Sequence, residues 1–129
     1  MPADTTTLFR PVGPRELELI AASGFSRFPP RLPEQPIFYP VLSRSYAEQI
    51  ARDWNSLSND TGFRGFVMRF EVESAFLSRY VPRQVGAAEH REYWVPAEEL
   101  GELNWHIVGT IKIVAAFHRG EEVDGGLRS

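Results

Sequence analysis

Pro36-Ile37-Phe38-Tyr39-Pro40-Val41-Leu42 runs straight into Ser43 to Asn55, and that join decides how the rest of the chain is read. The first part is apolar with an aromatic pair at its centre, and a run of about seven such residues between turn signals suits a buried strand. The second part has a helical pattern. Ser43 or Ser45 can cap it, and Ser45-Tyr46-Ala47-Glu48 has the capping-box spacing. Ala47, Ile50, Ala51 and Trp54 recur at i, i+3, i+4 and i+7, which gives one apolar face. A strand that hands directly to a helix sets its last aromatic residue at a sheet edge beside a helix start, where ligand sites often form. Tyr39 is therefore the first candidate site residue.

Toward the N-terminus, Leu8-Phe9-Arg10-Pro11-Val12 reads as a short strand. Arg10 stands out there, because a charged side chain among apolar neighbours is costly to bury unpaired. Gly13-Pro14 ends that strand and Pro14 suits the first turn of a helix. Leu17, Ile20, Ala21 and Gly24 share a face of this helix. Glu16 and Glu18 are favourable near its positive end, and Gly24 suits the C-cap. Phe25 to Gln35 holds three prolines and the arginines Arg27 and Arg31. It cannot be a regular element, and loops of that length are often functional.

Toward the C-terminus, Asn55 to Gly65 is rich in turn residues. Phe66, Met68, Phe70 and Val72 alternate with Arg69 and Glu71, the pattern of a half-buried strand. Ser74 caps a short helix through Leu77, and Arg79 to Gly86 is a short edge strand and turn. His90 to Val95 is a strand closed by Pro96. Pro96 to Leu103 is a helix carrying Glu98, Glu99 and Glu102. His106 to Phe117 is the last strand, with Ile107, Gly109, Ile111, Ile113, Ala115 and Phe117 on one face. Residues 1–6 and 119–129 read as flexible termini around a single domain, 7–118. Helices alternate with strands but the long Val/Ile runs of a doubly wound sheet are missing. The fold class is α+β, with a split mixed or antiparallel sheet flanked by short helices.

Composition bounds the function. The chain has 129 residues, 43% of them hydrophobic, with nine Phe, four Tyr and three Trp, enough for a real core. A net charge of −3 lacks the basic footprint of a dedicated nucleic-acid binder. There is no cysteine, which excludes disulfides and thiolate metal sites. No apolar segment approaches the roughly 20 residues of a membrane span, and Met1 to Thr7 lacks the regions of a secretory signal. A cytoplasmic location is expected.

His90, His106 and His118 fall on separate pieces without metal-ligand spacing, so no metal is expected. Gly62 to Gly65 and Gly125-Gly126 match no phosphate-binding fingerprint, and no Gly-x-Ser-x-Gly elbow is present. Glu98, Glu99 and Glu102 read as a solvated acidic face. Glu92 differs, because it opens the aromatic run Tyr93-Trp94-Val95 at a strand end near the core. A carboxylate there needs a partner and can be functional. Arg10 has a plain reading as a strand residue on a solvated face. Its functional reading is a guanidinium fork for a phosphate or a ribose hydroxyl.

Taken together, Leu8-Phe9-Arg10-Pro11-Val12-Gly13, Ile37-Phe38-Tyr39-Pro40-Val41 with Tyr46-Ala47-Glu48-Gln49-Ile50-Ala51 behind it, and Glu92-Tyr93-Trp94-Val95-Pro96 resemble the sparse signature of ADP-ribosyltransferase-like domains. In that superfamily a first strand ends with Arg or His, a second carries Tyr or Ser ahead of a helix, and a late strand begins with Glu. The resemblance covers residues 7 to about 117. It extends to small bacterial proteins labelled ADP-ribosylation/crystallin J1; the glycohydrolases behind the second half of that label are large and all-helical, unlike this short, strand-rich chain. The resemblance implies NAD as substrate, with cleavage of the nicotinamide glycosidic bond and transfer of ADP-ribose to an acceptor: protein, nucleic acid or small molecule. It implies Glu92 near the ribose, Tyr39 or Phe38 stacked on nicotinamide, Arg10 on a pyrophosphate or ribose oxygen, and Arg27 or Arg31 as a second phosphate contact. Pro40 departs from the family pattern and cannot donate a ladder hydrogen bond, which leaves Phe38 and Tyr39 both open as the stacking residue. Two alternatives share the fold: a non-catalytic binding or interaction module, and an NAD hydrolase with water as acceptor.

Overall fold

A computed structural model describes residues 4–86 and 90–123. In chain order the elements are β1 (Thr5–Val12), α1 (Pro14–Ala22), β2 (Ile37–Phe38), α2 (Arg44–Asp53), β3 (Arg64–Glu73), α3 (Ser74–Leu77), β4 (Arg83–Gln84), β5 (Arg91–Glu92), β6 (Val95–Pro96), α4 (Leu100–Trp105), β7 (Ile107–His118) and β8 (Glu121–Glu122). The fold is α+β. A four-stranded sheet runs β1-β3-β7-β8, and β2-β6 and β4-β5 form two short ladders. Every pairing among the described residues is antiparallel, so the sheet is antiparallel rather than mixed. Regular structure extends beyond the limits 7 and 118, with β1 starting at Thr5 and β8 pairing Glu121 and Glu122 back onto β7. The outermost parts of the expected flexible termini, residues 1–3 and 124–129, lie outside the described residues.

The sheet buries both faces. One carries the larger core, in which Leu8, Met68, Phe70, Val72 and Ile111 meet Phe28 and Phe38. The other carries a smaller core under α2, made of Val41, Ala47, Ala51, Val67, Ala115 and Phe117. Small residues bring α2 close: a Cβ built at Gly65 of β3 would collide with the Ala51 carbonyl and stand 2.8 Å from the Asn55 Cβ.

The expected single apolar face of the last strand does not occur, and the register of β3 against β7 explains why. Val67 faces Ala115 but Met68 faces Ile113, so Val114 is an extra residue. An extra residue turns the side chains beyond it to the opposite face. Ile107, Ile111 and Ile113 accordingly pack in the larger core, and Ala115 and Phe117 in the smaller. A second shift lies between Arg69 and Glu71, near Gly109 with its φ of 79°.

Local signals fix the helices. α1 ends in a Schellman closure, with Phe25 N–H on the Ile20 carbonyl at 3.0 Å and Gly24 N–H on the Ala21 carbonyl at 2.9 Å. Ser43 is the N-cap of α2, its Oγ accepting the Tyr46 N–H at 3.0 Å. Ala47 and Ala51 are buried, but Ile50 is only half-buried and Trp54 is 72% exposed, because α2 ends at Asp53 and a 3₁₀ turn follows. Ser74 lies inside α3 rather than capping it, with its Oγ 2.7 Å from Thr6 Oγ1. The helix after Pro96 begins as a 3₁₀ turn, Ala97–Glu99.

The opening stretch is not one continuous strand. Only Ile37 and Phe38 form a ladder, against Pro96 and Val95, and the partner strand expected over His90 to Val95 is split in the same way into β5 and β6. Pro40 has no N–H to contribute. The register nevertheless carries through: Tyr93 N–H donates to the Pro40 carbonyl at 2.9 Å, Leu42 N–H to the Arg91 carbonyl at 2.9 Å, and Val41 bridges Glu92.

The proline-rich loop is irregular, yet it delivers Phe28 to the centre of the core. Its ring centroid lies 5.1 Å from that of Phe38 and 4.7 Å from that of Phe70. The Asn104 side chain holds the loop there, accepting the Phe28 N–H at 2.9 Å and donating to the Phe28 carbonyl at 3.0 Å. Asn104→Ala strips both partners from a buried residue's backbone. It is expected to lower the unfolding free energy by about 1–3 kcal/mol, measured by urea denaturation.

Candidate functional site

Val41 is the joint of the site. It pairs with Phe9 through reciprocal N–H to carbonyl bonds of 2.9 and 2.8 Å, and it bridges Glu92 from its other edge. β1, the Tyr39–Val41 segment and β5 therefore lie side by side. Arg10, Tyr39 and Glu92 line one cleft of about 290 Å³ together with Pro11, Val41 and Ile50.

Arg10 is buried and forked onto Glu16, with Nε to Oε2 at 2.6 Å and Nη2 to Oε1 at 2.9 Å. Its Cζ stands 4.5 Å above the centroid of the Phe38 ring. Phe38 is in the core, covered by Arg10 and by Phe28. Of the two rings open as stacking residues, Tyr39, 39% exposed, is the one at the surface of the cleft.

The two loop arginines separate. Arg31 lies beside Arg10, its Cζ 5.9 Å from the Phe38 centroid. Its Nε is buried and has no partner among the described residues. Burial, and after it the charge of Arg10, lowers its pKa from the ordinary guanidinium value. Arg27 is elsewhere: it is exposed and lines a different cleft, with Ser26, Gly101, Asn104 and Trp105.

Glu92 is buried and accepts two hydrogen bonds, from Tyr46 Oη to Oε1 at 3.1 Å and from Trp94 Nε1 to Oε2 at 2.7 Å. Burial, and then the Glu92 carboxylate, push the Tyr46 hydroxyl above the usual tyrosine range, so it remains a donor. The Tyr46 ring stacks on His90, with centroids 4.3 Å apart and planes at 14°. Trp94 meets Tyr39 edge-on at 6.0 Å, and the Arg83 guanidinium lies over the indole at 4.1 Å.

These neighbours were not singled out by the sequence patterns. Trp94 carried a readable signal, because it stands two residues beyond Glu92 and side chains at i and i+2 share a face. Tyr46 follows the Ser43 cap by three residues, which places it in the first turn beside the strand. Glu16, assigned a helix-dipole role, also reaches back across the Gly13-Pro14 turn. Arg83 carried none, since only the β4–β5 ladder sets it opposite Glu92.

Glu99, Glu102 and His106 have partners of their own outside the cleft. Glu99 accepts a hydrogen bond from the Tyr80 hydroxyl, and Glu102 pairs with Arg79 at 3.2 Å. His106 Nδ1 lies 2.8 Å from Glu73 Oε1, and its ring stacks on Phe76. No group of three or more His, Asp or Glu side chains among the described residues is arranged to hold a metal ion. Among them, no helix is long and apolar enough to cross a membrane.

What the fold and cleft define is a class: an α+β domain with a guanidinium, an exposed tyrosine ring and a doubly held carboxylate around one opening. No protein-family model, curated protein or solved structure matches the chain.

Proposed function

We propose that this is an ADP-ribosyltransferase-like domain that binds NAD, cleaves its nicotinamide glycosidic bond and transfers ADP-ribose to an acceptor, in the cytoplasm where NAD is met. One observation carries the reading: Arg10, Tyr39 and Glu92, far apart in sequence, line one cleft. NAD suits the donor set. Arg31 has a buried N–H with no partner beside a second guanidinium, and a pyrophosphate oxygen would supply one.

Each residue then has a physical task. Breaking a glycosidic bond builds positive charge on the ribose. Glu92 presents negative charge to it, and the bonds from Tyr46 and Trp94 fix the direction its carboxylate faces. Preorganised charge of this kind needs no rearrangement as the bond breaks. Tyr39 offers a ring face to nicotinamide. Arg10, its Nε and Nη2 taken by Glu16, has Nη1 left for an anion.

The Arg10–Glu16 fork also favours a rival, a non-catalytic binding module on the same fold, in which Arg10 only roofs Phe38. Free nicotinamide, followed after incubation with NAD, separates the two. Release that requires cell lysate supports the transferase, and release without lysate points to water as acceptor. Neither release nor a thermal shift with NAD leaves the binding module.

Tyr46→Phe keeps the ring on His90 and removes only the hydroxyl. The loss of one hydrogen bond to a carboxylate, about 1.5 kcal/mol, corresponds to about a tenfold slower release. The expected result is a fall in kcat with little change in the KM for NAD.

A further inference from the structure

Resting on the reading above, we propose that the acceptor is single-stranded nucleic acid, docked on a shelf formed by Arg83, Trp94 and Tyr39 at the mouth of the cleft. Arg83 faces Glu92 across the β4–β5 ladder, and its Cζ stands over the Trp94 indole, 4.1 Å from the ring centroid. The indole is fixed in turn by its N–H on Glu92 at 2.7 Å, so the shelf and the carboxylate are one construction. Tyr39 stands at 86° to the indole and is exposed to the same degree, 39%.

The guanidinium on the shelf has no carboxylate partner among the described residues. In a chain of net charge −3, Arg10, Arg44, Arg52, Arg69 and Arg79 each hold a carboxylate. Other arginines form no ion pair among the described residues; of these Arg31, Arg83 and Arg119 each lie against an aromatic ring, and the ring under Arg83 is the one that holds Glu92. Arg31 belongs with the pyrophosphate of NAD. Arg83, on the ring bonded to Glu92, is then the cation placed for the acceptor.

A guanidinium stacked on a ring keeps its edge N–H groups free for a phosphate, while its outer plane and the Tyr39 ring can each take a base. Bases within a duplex are already stacked and cannot reach such a shelf, whereas those of a single strand can. An acidic peptide would use the cation but not the rings. In the transfer, the C1′–N bond of NAD breaks with its electron pair going to nicotinamide, which leaves neutral. A lone pair on an acceptor oxygen or ring nitrogen forms the new bond to C1′, and the proton released passes to Glu92 or water.

The test uses fluorescein-labelled dodecamers of single-stranded DNA and RNA, followed by anisotropy with the full chain, and NAD labelled in its adenine for transfer. Saturable binding of a single strand is expected, weaker for the duplex, with a shallow salt slope of about −0.7 for one phosphate contact. Label should appear on the oligonucleotide. Arg83→Ala should weaken binding about tenfold, and Arg83→Lys less. Arg119→Ala, which removes an arginine stacked on Phe63 away from the cleft residues, should change nothing. Absence of binding, equal effects at Arg83 and Arg119, or label found only on lysate protein overturns the inference. Nicotinamide release without oligonucleotide binding overturns it and leaves the transferase standing. Binding that depends on Arg83 but comes without any release removes the transferase, and with it Arg83's role at an acceptor site.

Discussion

Glu92→Gln is expected to slow nicotinamide release by about 10²–10³-fold, the effect of deleting one preorganised electrostatic partner of a transition state. The substitution changes charge and almost no volume. It leaves an oxygen that can still accept from the Tyr46 hydroxyl or the Trp94 indole N–H, while the new amide N–H₂ faces the other donor. Stability should therefore fall by about 1–3 kcal/mol, too little to unfold the domain. Release at saturating NAD, compared with the thermal midpoint of the same preparation, separates the two effects. Turnover equal to wild type would take Glu92 out of the mechanism, whatever the midpoint does.

Phe28→Ala should give the largest loss of stability, about 3–5 kcal/mol, in a domain whose total is expected to be of order 5–15 kcal/mol. Phe28 is almost wholly buried between Phe38 and Phe70. Its removal opens a cavity beneath Phe38, the ring that supports Arg10. A conservative Phe28→Leu should recover most of that loss. If NAD affinity recovers with it, Arg10 is held in place from the core. Denaturant titration of both variants, with NAD binding measured by calorimetry, reads the two quantities separately.

Much of the framework was legible because it rests on local periodicity. The alternation from Phe66 to Val72, the glycine closure after α1 and the alanine stripe of α2 each follow from spacing alone. What escaped was non-local. Nothing near Val114 marks it as the extra residue that turns β7 over; that follows only from its pairing with β3. Trp54 fitted the helical period, but the 3₁₀ turn at Asn55 swings it into solvent. In the cleft, Arg10 and Glu92 drew notice as charges among apolar neighbours. Of their partners, Trp94 was readable from its spacing to Glu92, whereas Glu16 and Tyr46 required the fold. The cleft itself depends on Val41 bridging both Phe9 and Glu92, a juxtaposition that no window of sequence contains.

Gly65 lies outside the cleft, yet it sets a tolerance for the whole site. Helix and strand meet there backbone to backbone, with no side chain as spacer. The distance from Tyr46 to Glu92 is thereby gauged from below, along the same helix, by the thickness of Ala47, Ala51 and a missing methyl. Enlarging any of the three would tilt the helix like a shim under one end of a beam. The hydroxyl would lift from the carboxylate while every residue around the opening kept its identity.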